Sequence, residues 1–357
     1  MTMPTVTEAG GNDISKSMKP GAEKRQGMRG FDADYVDIVD YIVRCTHKIW
    51  EEKQVGLIYT HYAHNALVHG TRGDSYGVES VVASTVQTLA MFPDRRLFAD
   101  DVIWSGDDEQ GYYTSHRITS TAHHSGFGAY GPPTGRKLRY RVIADCIVKE
   151  NRIIEEWLVR DELSIARQLG LDEAALVKGI AEKWAATKGP ESDVQSAIER
   201  SIGQLPPEPL PPSSAERFDI EDFVRRAWHD IWNRRMFSEI FRLYAPAYEC
   251  HSASGRELYG HNDYLQFVLD WLAAFPDARM FVDHFAVQGN AEAGYRVAVR
   301  WTLLGTHEGY GIYGGPTGKR VRITGITHQH VRDGRFVAEW TVFDELALMA
   351  QLYVPAG

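Results

Sequence analysis

The stretch GIYGGPTGKRVRITG, residues 311–325, has a close counterpart in GAYGPPTGRKLRYRV, residues 128–142. Gly, Tyr, Gly, Pro, Thr and Gly recur in both stretches at the same spacing, with a shift of 183 residues. The same shift relates Phe92–Asp94 to Phe275–Asp277, Trp157 to Trp340, and Asp161–Leu163 to Asp344–Leu346. Because this period is far longer than that of a solenoid repeat, the chain is predicted to contain two copies of one domain.

The GGPTGK segment suggests a phosphate-binding loop at first sight, but its spacing excludes one. Such a loop needs a glycine five positions before the Gly-Lys pair and a Ser or Thr after the lysine. Tyr313 and Arg320 occupy those two positions, and Pro316 lacks the backbone N–H that would face a phosphate. Pro-Thr-Gly followed by alternating residues instead predicts a tight turn that enters a strand.

The composition is that of a folded protein without a general affinity for polyanions. Hydrophobic residues make up 43% of the 357 residues, and the formal net charge is −9. A negative chain has no overall electrostatic attraction to nucleic acid or to an anionic membrane. The three cysteines form no CxxC pair, so neither a disulfide framework nor a thiolate metal site is predicted. The N-terminal stretch lacks a signal-peptide pattern and no apolar run could span a bilayer, so a cytoplasmic location is expected.

The order of the hydrophobic periodicities predicts the same architecture in both copies. Residues 1–33 are expected to form a disordered tail, residues 34–170 the first domain and residues 218–357 the second. Residues 171–217 combine a helical pattern with the proline-rich LPPEPLPPSS and are expected to be a linker. In each copy, amphipathic helices precede strands with a period of two. We therefore expect α+β domains, each with a curved antiparallel sheet wrapped around helices.

The motifs of the second copy resemble those of a known family. Tyr244, His251, the FPD and GTHEG motifs and HVRDGRFVAEWTVFDELALMAQL resemble the SnoaL-like polyketide cyclase family, of the nuclear transport factor 2-like superfamily. The resemblance covers both copies and implies two tandem cone-shaped α+β barrels that admit a small, partly apolar ligand. It further implies acid–base chemistry without a metal or an organic cofactor. Because the superfamily also contains non-catalytic binders, the fold alone leaves the function open.

Strand alternation selects the candidate catalytic residues of the second copy. His328 and His330 share one strand face, and Trp340 shares a face with Asp344 on the next strand. If the two faces coincide, a histidine lies beside the carboxylate of Asp344, and such a pair can move a proton next to a carbonyl group. In the resembled family, an Asp and a His on these strands are thought to be the acid–base pair. Arg300 or His251 would stabilise the oxyanion. Arg300 could instead pair with an acidic neighbour such as Glu339, as Arg117 could with Glu156 in the first copy.

Further residues are predicted to contact the substrate or to form a second pocket. In the second copy these are His251, Tyr244, Trp340, His307 and Trp301, and in the first copy Asp145, Asp161, Arg117, His69, His124 and Tyr62. The first copy has Asp145 and Ile147 where the second has His328 and His330. It therefore offers carboxylates instead of imidazoles, and the second copy is expected to be the more complete site.

Several of these assignments have a structural alternative. Asp344 precedes an apolar helix and could be its N-cap, His307 lies before a glycine-rich bend, and Trp340 could be a core aromatic. The leading hypothesis is a cofactor-independent cyclase, isomerase, dehydratase or hydrolase that acts on a small carbonyl or hydroxylated compound. The alternative is a non-catalytic binder or scaffold whose cone is blocked by side chains such as Trp301. A metal enzyme that uses the His328-x-His330 pair is a minor alternative.

The expected partners are few. A small-molecule substrate is predicted, with no nucleic acid and no membrane. Because the cones of this superfamily often pair sheet to sheet, the two copies are expected to form a pseudo-dimer within the chain. Further association of two chains into a homodimer is left open.

Overall fold

The computed structural model describes residues 24–187, 207–213 and 217–353. Its contacts divide the chain into two compact units, unit 1 over residues 1–172 and unit 2 over residues 173–357. Each unit contains one six-stranded sheet together with helices.

Unit 1 begins with helices, continues with a run of four strands and ends with a short helix. Its helices are α1 (Ile38–Trp50), α2 (Ile58–His61), α3 (Val78–Met91) and α4 (Glu162–Leu169), with a 3-10 turn at Val55–Leu57. Its strands are β1 (Tyr62–Gly70), β2 (Gly73–Tyr76), β3 (Arg96–Asp107), β4 (Gly111–His123), β5 (Lys137–Lys149) and β6 (Arg152–Arg160). α1 begins where the side chain of Asp37 accepts a hydrogen bond of 2.8 Å from the N–H of Asp40. Its apolar side then packs against β3 and β4.

Unit 2 repeats this order after one additional helix. Its helices are α5 (Glu173–Thr187), α6 (Ile220–Trp228), α7 (Glu239–Leu243), α8 (Gly260–Ala274) and α9 (Glu345–Tyr353), with a π-helical turn at His229–Asn233 and a 3-10 turn at Ala253–Gly255. Its strands are β7 (Tyr244–Ser252), β8 (Arg256–Tyr259), β9 (Arg279–Asn290), β10 (Gly294–Thr306), β11 (Arg320–Arg332) and β12 (Arg335–Phe343). The beginning of the predicted linker is thus the helix α5, which packs through Ala181 and Trp184 against α9.

The strand order confirms the α+β fold and corrects one feature of the sheet. The order is β2-β1-β6-β5-β4-β3 in unit 1 and β8-β7-β12-β11-β10-β9 in unit 2. The last four strands of each unit form the predicted antiparallel meander. The first long strand, however, pairs parallel with the last one, β1 with β6 and β7 with β12. Both sheets are therefore mixed, and among the described residues no strand pairing closes either one into a complete barrel.

The Gly-Tyr-Gly stretch that repeats in the sequence forms a loop anchored in the core of each unit. In unit 2, Tyr313 donates a hydrogen bond of 2.9 Å to the buried carboxylate of Glu345. Gly309 in the same loop approaches α8 so closely that an added Cβ would lie 1.7 Å from the carbonyl oxygen of Ala273. The counterparts in unit 1 are Tyr130, Glu162 and Gly126. The stretch is therefore a turn whose glycines permit close contact between backbones, as predicted.

Part of the predicted N-terminal tail is folded. Met28 and Phe31 are buried in the core of unit 1, and the ring of Phe31 contacts the ring of Tyr41 edge to face at 5.0 Å. Residues 1–23 lie outside the described residues. The expectation of a disordered tail is wrong for residues 24–33, because burial of Met28 and Phe31 attaches this segment to the core.

Candidate active site

Each unit has a cavity between its helices and one face of its sheet. In unit 2, the strands contribute Trp301, Thr327, Glu339, Thr341 and Phe343 to the cavity wall, and aromatic residues before and within α8 cover it. Alternate residues of a strand point to opposite faces. This face, the inner face, therefore carries the odd-numbered residues at these positions of β10, β11 and β12, and the even-numbered residues point to the outer face.

The predicted catalytic histidines lie on the outer face. His328 and His330 alternate with Thr327 on β11, and Trp340 alternates with residues that line the cavity. The ring of Trp340 contacts the ring of His330 at 4.9 Å and stacks on the ring of His251 at 5.4 Å. The prediction that His328, His330 and Trp340 line the cone is wrong. Alternation shows which residues share a face, but it does not identify the face that meets the helices.

Asp344 is an N-cap. The strand register places His328 opposite Trp340 and Gly325 opposite Phe343. Asp344 is four residues beyond Trp340, so it lies about 13 Å along the strand from the position opposite His328. Its side chain accepts a hydrogen bond of 3.0 Å from the N–H of Ala347. The capping alternative is confirmed, and the register does not produce the predicted acid–base pair.

Replacing Asp344 by alanine is expected to lower the free energy of unfolding by about 1 kcal/mol, because α9 loses a capping acceptor. Asp344→Asn keeps a capping oxygen and is expected to retain most of that stability. Urea denaturation of both variants measures the difference. A loss of catalytic rate in Asp344→Ala at a temperature where the variant is fully folded would contradict the purely structural role.

Most of the other predicted residues of unit 2 also lie away from the cavity wall. Arg300 precedes the cavity residue Trp301 on β10 and therefore points to the outer face. His307 is buried in the loop, where its Nδ1 lies 3.2 Å from the hydroxyl oxygen of Thr317. Tyr244 is buried within a cluster of tyrosines. Among these predicted residues, Trp301 lines the cavity.

The predicted residues of unit 1 show the same division. His116, Ile118, Ala144 and Cys146 line the cavity of unit 1, so Arg117 and Asp145, which alternate with them, point to the outer face of that sheet. His69 stacks on Trp157 at 4.9 Å, His124 contacts Thr134 in the loop, and Asp161 accepts a hydrogen bond from the N–H of Ser164 as the N-cap of α4. Tyr62 alone among the predicted residues lies on the cavity wall. The two carboxylates Asp145 and Asp161 therefore do not meet in the cone.

Besides Tyr62, the cavity of unit 1 contains polar groups that the sequence did not identify as site residues. The volume open to the centre of a water molecule is about 60 Å³. Its wall is largely apolar and comes from α1 and from the inner face of the sheet. The polar side chains on the wall are Thr46, Tyr62, Arg95, His116, Glu156 and Arg160, with the thiols of Cys45 and Cys146.

Glu156 has the chemistry of a proton-transfer group. Its Oε2 accepts a hydrogen bond of 3.0 Å from the hydroxyl group of Tyr62, and this is its one hydrogen bond within the described part of the chain. Burial raises the pKa of Glu156 to about 7, although the Tyr62 hydrogen bond and the charge of Arg160 act in the opposite direction. Both protonation states are therefore populated near neutral pH, which suits a general acid or base.

The raised pKa of Glu156 makes the stability of unit 1 depend on pH. Because the folded state holds this proton more tightly than the unfolded state, stability is full below the ordinary pKa of 4.5 and falls as the pH rises towards about 7. This decrease in the free energy of unfolding amounts to about 3 kcal/mol. Glu156→Gln is expected to remove this loss, so its gain over the wild type should be larger at about pH 8 than at about pH 5.

Urea denaturation at the two pH values measures this gain. Glu109→Gln, which removes an exposed carboxyl group from the turn between β3 and β4, is the control and should keep the wild-type dependence. An equal effect of Glu156→Gln at both pH values would show that Glu156 titrates normally.

The matching carboxylate of unit 2 is occupied by protein donors. Glu339 follows Glu156 by the same shift of 183 residues and is also buried. Its oxygens accept hydrogen bonds from Tyr248 (2.8 Å), Gln329 (2.7 Å), Thr341 (2.6 Å) and the thiol of Cys250 (3.7 Å). Burial raises the pKa of Glu339, but the hydrogen bonds from Thr341, Tyr248 and Gln329 oppose the shift. Neither of its oxygens is left for a ligand.

The cavity of unit 2 is also smaller, with about 20 Å³ open to the centre of a water molecule. Trp301 lines it and donates a hydrogen bond of 2.9 Å to the hydroxyl oxygen of Thr327. Gly325 makes room for this indole, since an added Cβ would lie 2.1 Å from Cζ2 of Trp301. The inner residues Trp301, Gly325, Thr327, Gln329 and Thr341 of unit 2 correspond to Ile118, Val142, Ala144, Cys146 and Leu158 of unit 1. The site with more room and with fewer protein hydrogen bonds to its carboxylate is thus in unit 1, contrary to the prediction.

Comparison with known proteins agrees with the fold. A family model described as SnoaL-like polyketide cyclase matches residues 41–169 and 222–352. The chain belongs to the SnoaL-like polyketide cyclase family. Because both segments match, both units are SnoaL-like domains, and the resemblance that the motifs carry is confirmed.

Solved structures similar to this SnoaL-like chain match about one unit each. A proposed SnoaL-like polyketide cyclase from Jannaschia sp. CCS1 is 19% identical, covers 40% of this chain and 100% of its own, and has a TM-score of 0.35. IdmH, a proposed polyketide cyclase from Streptomyces antibioticus, is 26% identical over 38% of this chain and 98% of its own, with a TM-score of 0.33. AclR, a proposed hydroxylase from Streptomyces galilaeus, is 26% identical over 38% and 86%, with a TM-score of 0.32. The search of curated proteins found no significant match.

None of the helices within residues 24–187, 207–213 and 217–353 combines the length and the apolar character that crossing a membrane requires. In the same ranges, no three or more His, Cys, Asp or Glu side chains are grouped so that they could hold a metal ion. The hypothesis of a metal site at His328-x-His330 therefore has no support from the described residues.

Proposed function

We propose that unit 1 is a cofactor-free acid–base enzyme of the cyclase or isomerase type that acts on a small carbonyl compound. The observation that carries this proposal is Glu156, a buried carboxyl group with one protein hydrogen bond and a pKa of about 7, on the wall of a largely apolar cavity. The family supports the reaction class. The predicted residues His328, His330, Asp344 and Arg300 have no role in this proposal.

The proposed reaction needs one base, and the same group later acts as the acid. The carboxylate of Glu156 removes a proton from the carbon next to the carbonyl group, and the C–H electron pair forms an enolate. Arg160, on the same wall, stabilises the enolate oxygen through its positive charge. The enolate carbon then attacks a second carbonyl carbon of the same molecule, or is protonated at another position. The protonated Glu156 returns the proton to the product, so the product is an isomer of the substrate.

We further propose that unit 2 is a non-catalytic copy. The hydrogen-bonded Glu339 and the small size of its cavity, whose wall includes the indole of Trp301, favour this second role. A carboxylate that already accepts hydrogen bonds at both oxygens is a poor base, because removing those donors costs free energy. Pairing of the two copies into a pseudo-dimer and a homodimer of chains stay predictions, as does the cytoplasmic location.

Hydrogen–deuterium exchange at carbon tests the reaction class without knowledge of the natural product. Small cyclic ketones and 1,3-dicarbonyl compounds are incubated with the full chain in D₂O, and deuterium at the α-carbon is followed by NMR. The proposal expects exchange above the buffer rate for at least one compound that fits the cavity. Exchange that the Glu156→Gln variant catalyses as well as the wild type would refute the assignment of the base.

A further inference from the structure

Two arginines on the cavity wall of unit 1 have no counterpart in unit 2. Arg95 and Arg160 correspond to Ala278 and Phe343 by the shift of 183 residues. The backbone turn at the first position is the same in both units, because Arg95 donates its N–H to Phe92 and Ala278 donates its N–H to Phe275. The arginine at this turn is therefore not a requirement of the fold.

The guanidinium of Arg95 is fixed by neighbouring side chains, but only its Nε donates a hydrogen bond within the described part of the chain. Arg95 is 6% exposed, and its Nε donates a hydrogen bond of 2.9 Å to the hydroxyl oxygen of Ser120. The guanidinium lies over the ring of Trp50 at 5.0 Å and near the ring of Tyr140 at 5.8 Å. Within the described part of the chain, its two terminal nitrogens donate no hydrogen bond and form no ion pair with a carboxylate.

The neighbouring charges do not compensate this buried cation. Glu51 acts on Arg95 only at longer range, and its oxygens already bind the N–H of Leu97 at 2.6 Å and the side chain of Arg96 at 3.1 Å. Arg160, in contrast, has Glu162 at 3.4 Å. A buried charge without a partner is unfavourable, and burial accordingly lowers the pKa of Arg95. The site would gain most from an anion that enters the cavity.

We propose that the ligand of unit 1 is a small organic carboxylate, whose carboxylate group binds the terminal nitrogens of Arg95 while its carbon skeleton lies against the apolar wall. Two parallel N–H donors match a carboxylate, and a planar guanidinium fixed by aromatic rings is already in position for such a contact. The inference rests on the proposed function for the location of the site. It adds that the reacting compound carries an acidic group in addition to its carbonyl group.

Binding of matched acid and ester probes tests this inference. The full chain is titrated with 2-naphthoate and with methyl 2-naphthoate, and dissociation constants are measured by calorimetry for the wild type, Arg95→Met, Arg95→Lys and Arg96→Met. Arg96 is the matched control, because it is the next residue and its side chain is 70% exposed. Thermal unfolding shows whether each variant is folded.

The wild type is expected to bind the acid more tightly than the ester. Arg95→Met is expected to weaken binding of the acid at least about tenfold and to leave the ester unchanged, because the variant loses only the charge-assisted contacts. Arg95→Lys should show an intermediate affinity, and Arg96→Met should match the wild type. Equal binding of acid and ester by the wild type, or an effect of either Arg95 variant below about twofold, would overturn the inference.

The same titration on Glu156→Gln separates this inference from the proposed function. Retained binding of naphthoate together with lost deuterium exchange supports both proposals. If Glu156→Gln keeps the exchange activity while Arg95→Met no longer binds naphthoate, the proposed base is wrong and the carboxylate site stands. If exchange depends on Glu156 but naphthoate binding does not depend on Arg95, the carboxylate site is wrong and the base stands.

Discussion

Glu156→Gln is expected to reduce the exchange or cyclisation rate of the chain by roughly 10²–10⁴-fold, the usual contribution of a general base. The amide keeps the size of the side chain and can still contact Tyr62, but it cannot accept a proton from carbon. Because the variant also removes a buried ionisable group, it should be at least as stable as the wild type near neutral pH. A rate loss without a stability loss distinguishes a chemical role from a structural one.

Glu339→Gln is the matched control for this experiment, since it makes the same change at the corresponding position of unit 2. It is expected to leave the rate within about twofold of the wild type and to lower the stability of unit 2, because an amide cannot accept all the hydrogen bonds that the carboxylate of Glu339 receives. If the two effects are reversed, with the rate lost in Glu339→Gln, the active cone is in unit 2.

Arg256→Met is expected to lower the free energy of unfolding of unit 2 by about 3 kcal/mol, because it leaves a buried carboxylate without its cation. Glu345 is nearly fully buried, and both of its oxygens accept hydrogen bonds of 2.6 Å from Arg256. Burial alone would raise the pKa of Glu345, but the hydrogen bonds from Arg256, Ser254 and Tyr313 hold it below its usual value. The same carboxylate anchors the loop that carries Tyr313.

The double variant Arg256→Met, Glu345→Gln tests the reason for that loss. It is expected to recover part of the stability, since no uncompensated charge then remains. Arg242→Met is the surface control. Arg242 pairs with Glu239 through a side chain that is 68% exposed, and its loss should cost about 1 kcal/mol or less. Urea denaturation provides all three values, and a small effect of Arg256→Met would show that water replaces the guanidinium.

The duplication and the α+β fold could be predicted from the sequence because they depend on long, regular patterns. An ungapped repeat and the change from helical to alternating periodicity survive many local exceptions. The parallel pairing of the first strand with the last could not be predicted in this way. It joins residues at the two ends of each unit, and no local pattern records such a distant contact.

The inner face of the sheet was assigned wrongly for a physical reason. On β11, His328 is as completely buried as its neighbours Thr327 and Gln329, so neither face has the exposed, polar pattern that normally marks the solvent side. Alternation then identifies two faces without saying which one meets the helices. Asp344 was ambiguous in a different way, because an aspartate before an apolar helix is equally suited to capping.

Glu156 was overlooked because a glutamate occurs at this position in both copies and suggested only an ion pair. The informative signal is in the residues around it. Cys146, Ala144 and Leu158 replace the hydrogen-bonding residues that satisfy or support Glu339. These differences become meaningful only after the strand register shows that they surround one carboxyl group.

The period of two along β11 also limits how such a domain can change. His328 lies one position from Thr327, whose side chain reaches the cavity. Inserting a single residue near the start of this strand would rotate every following side chain by half a turn, directing the buried imidazole inwards and Gln329 outwards. A change in the length of this strand could therefore move the imidazole from the outer to the inner face of the sheet, without any new side chain.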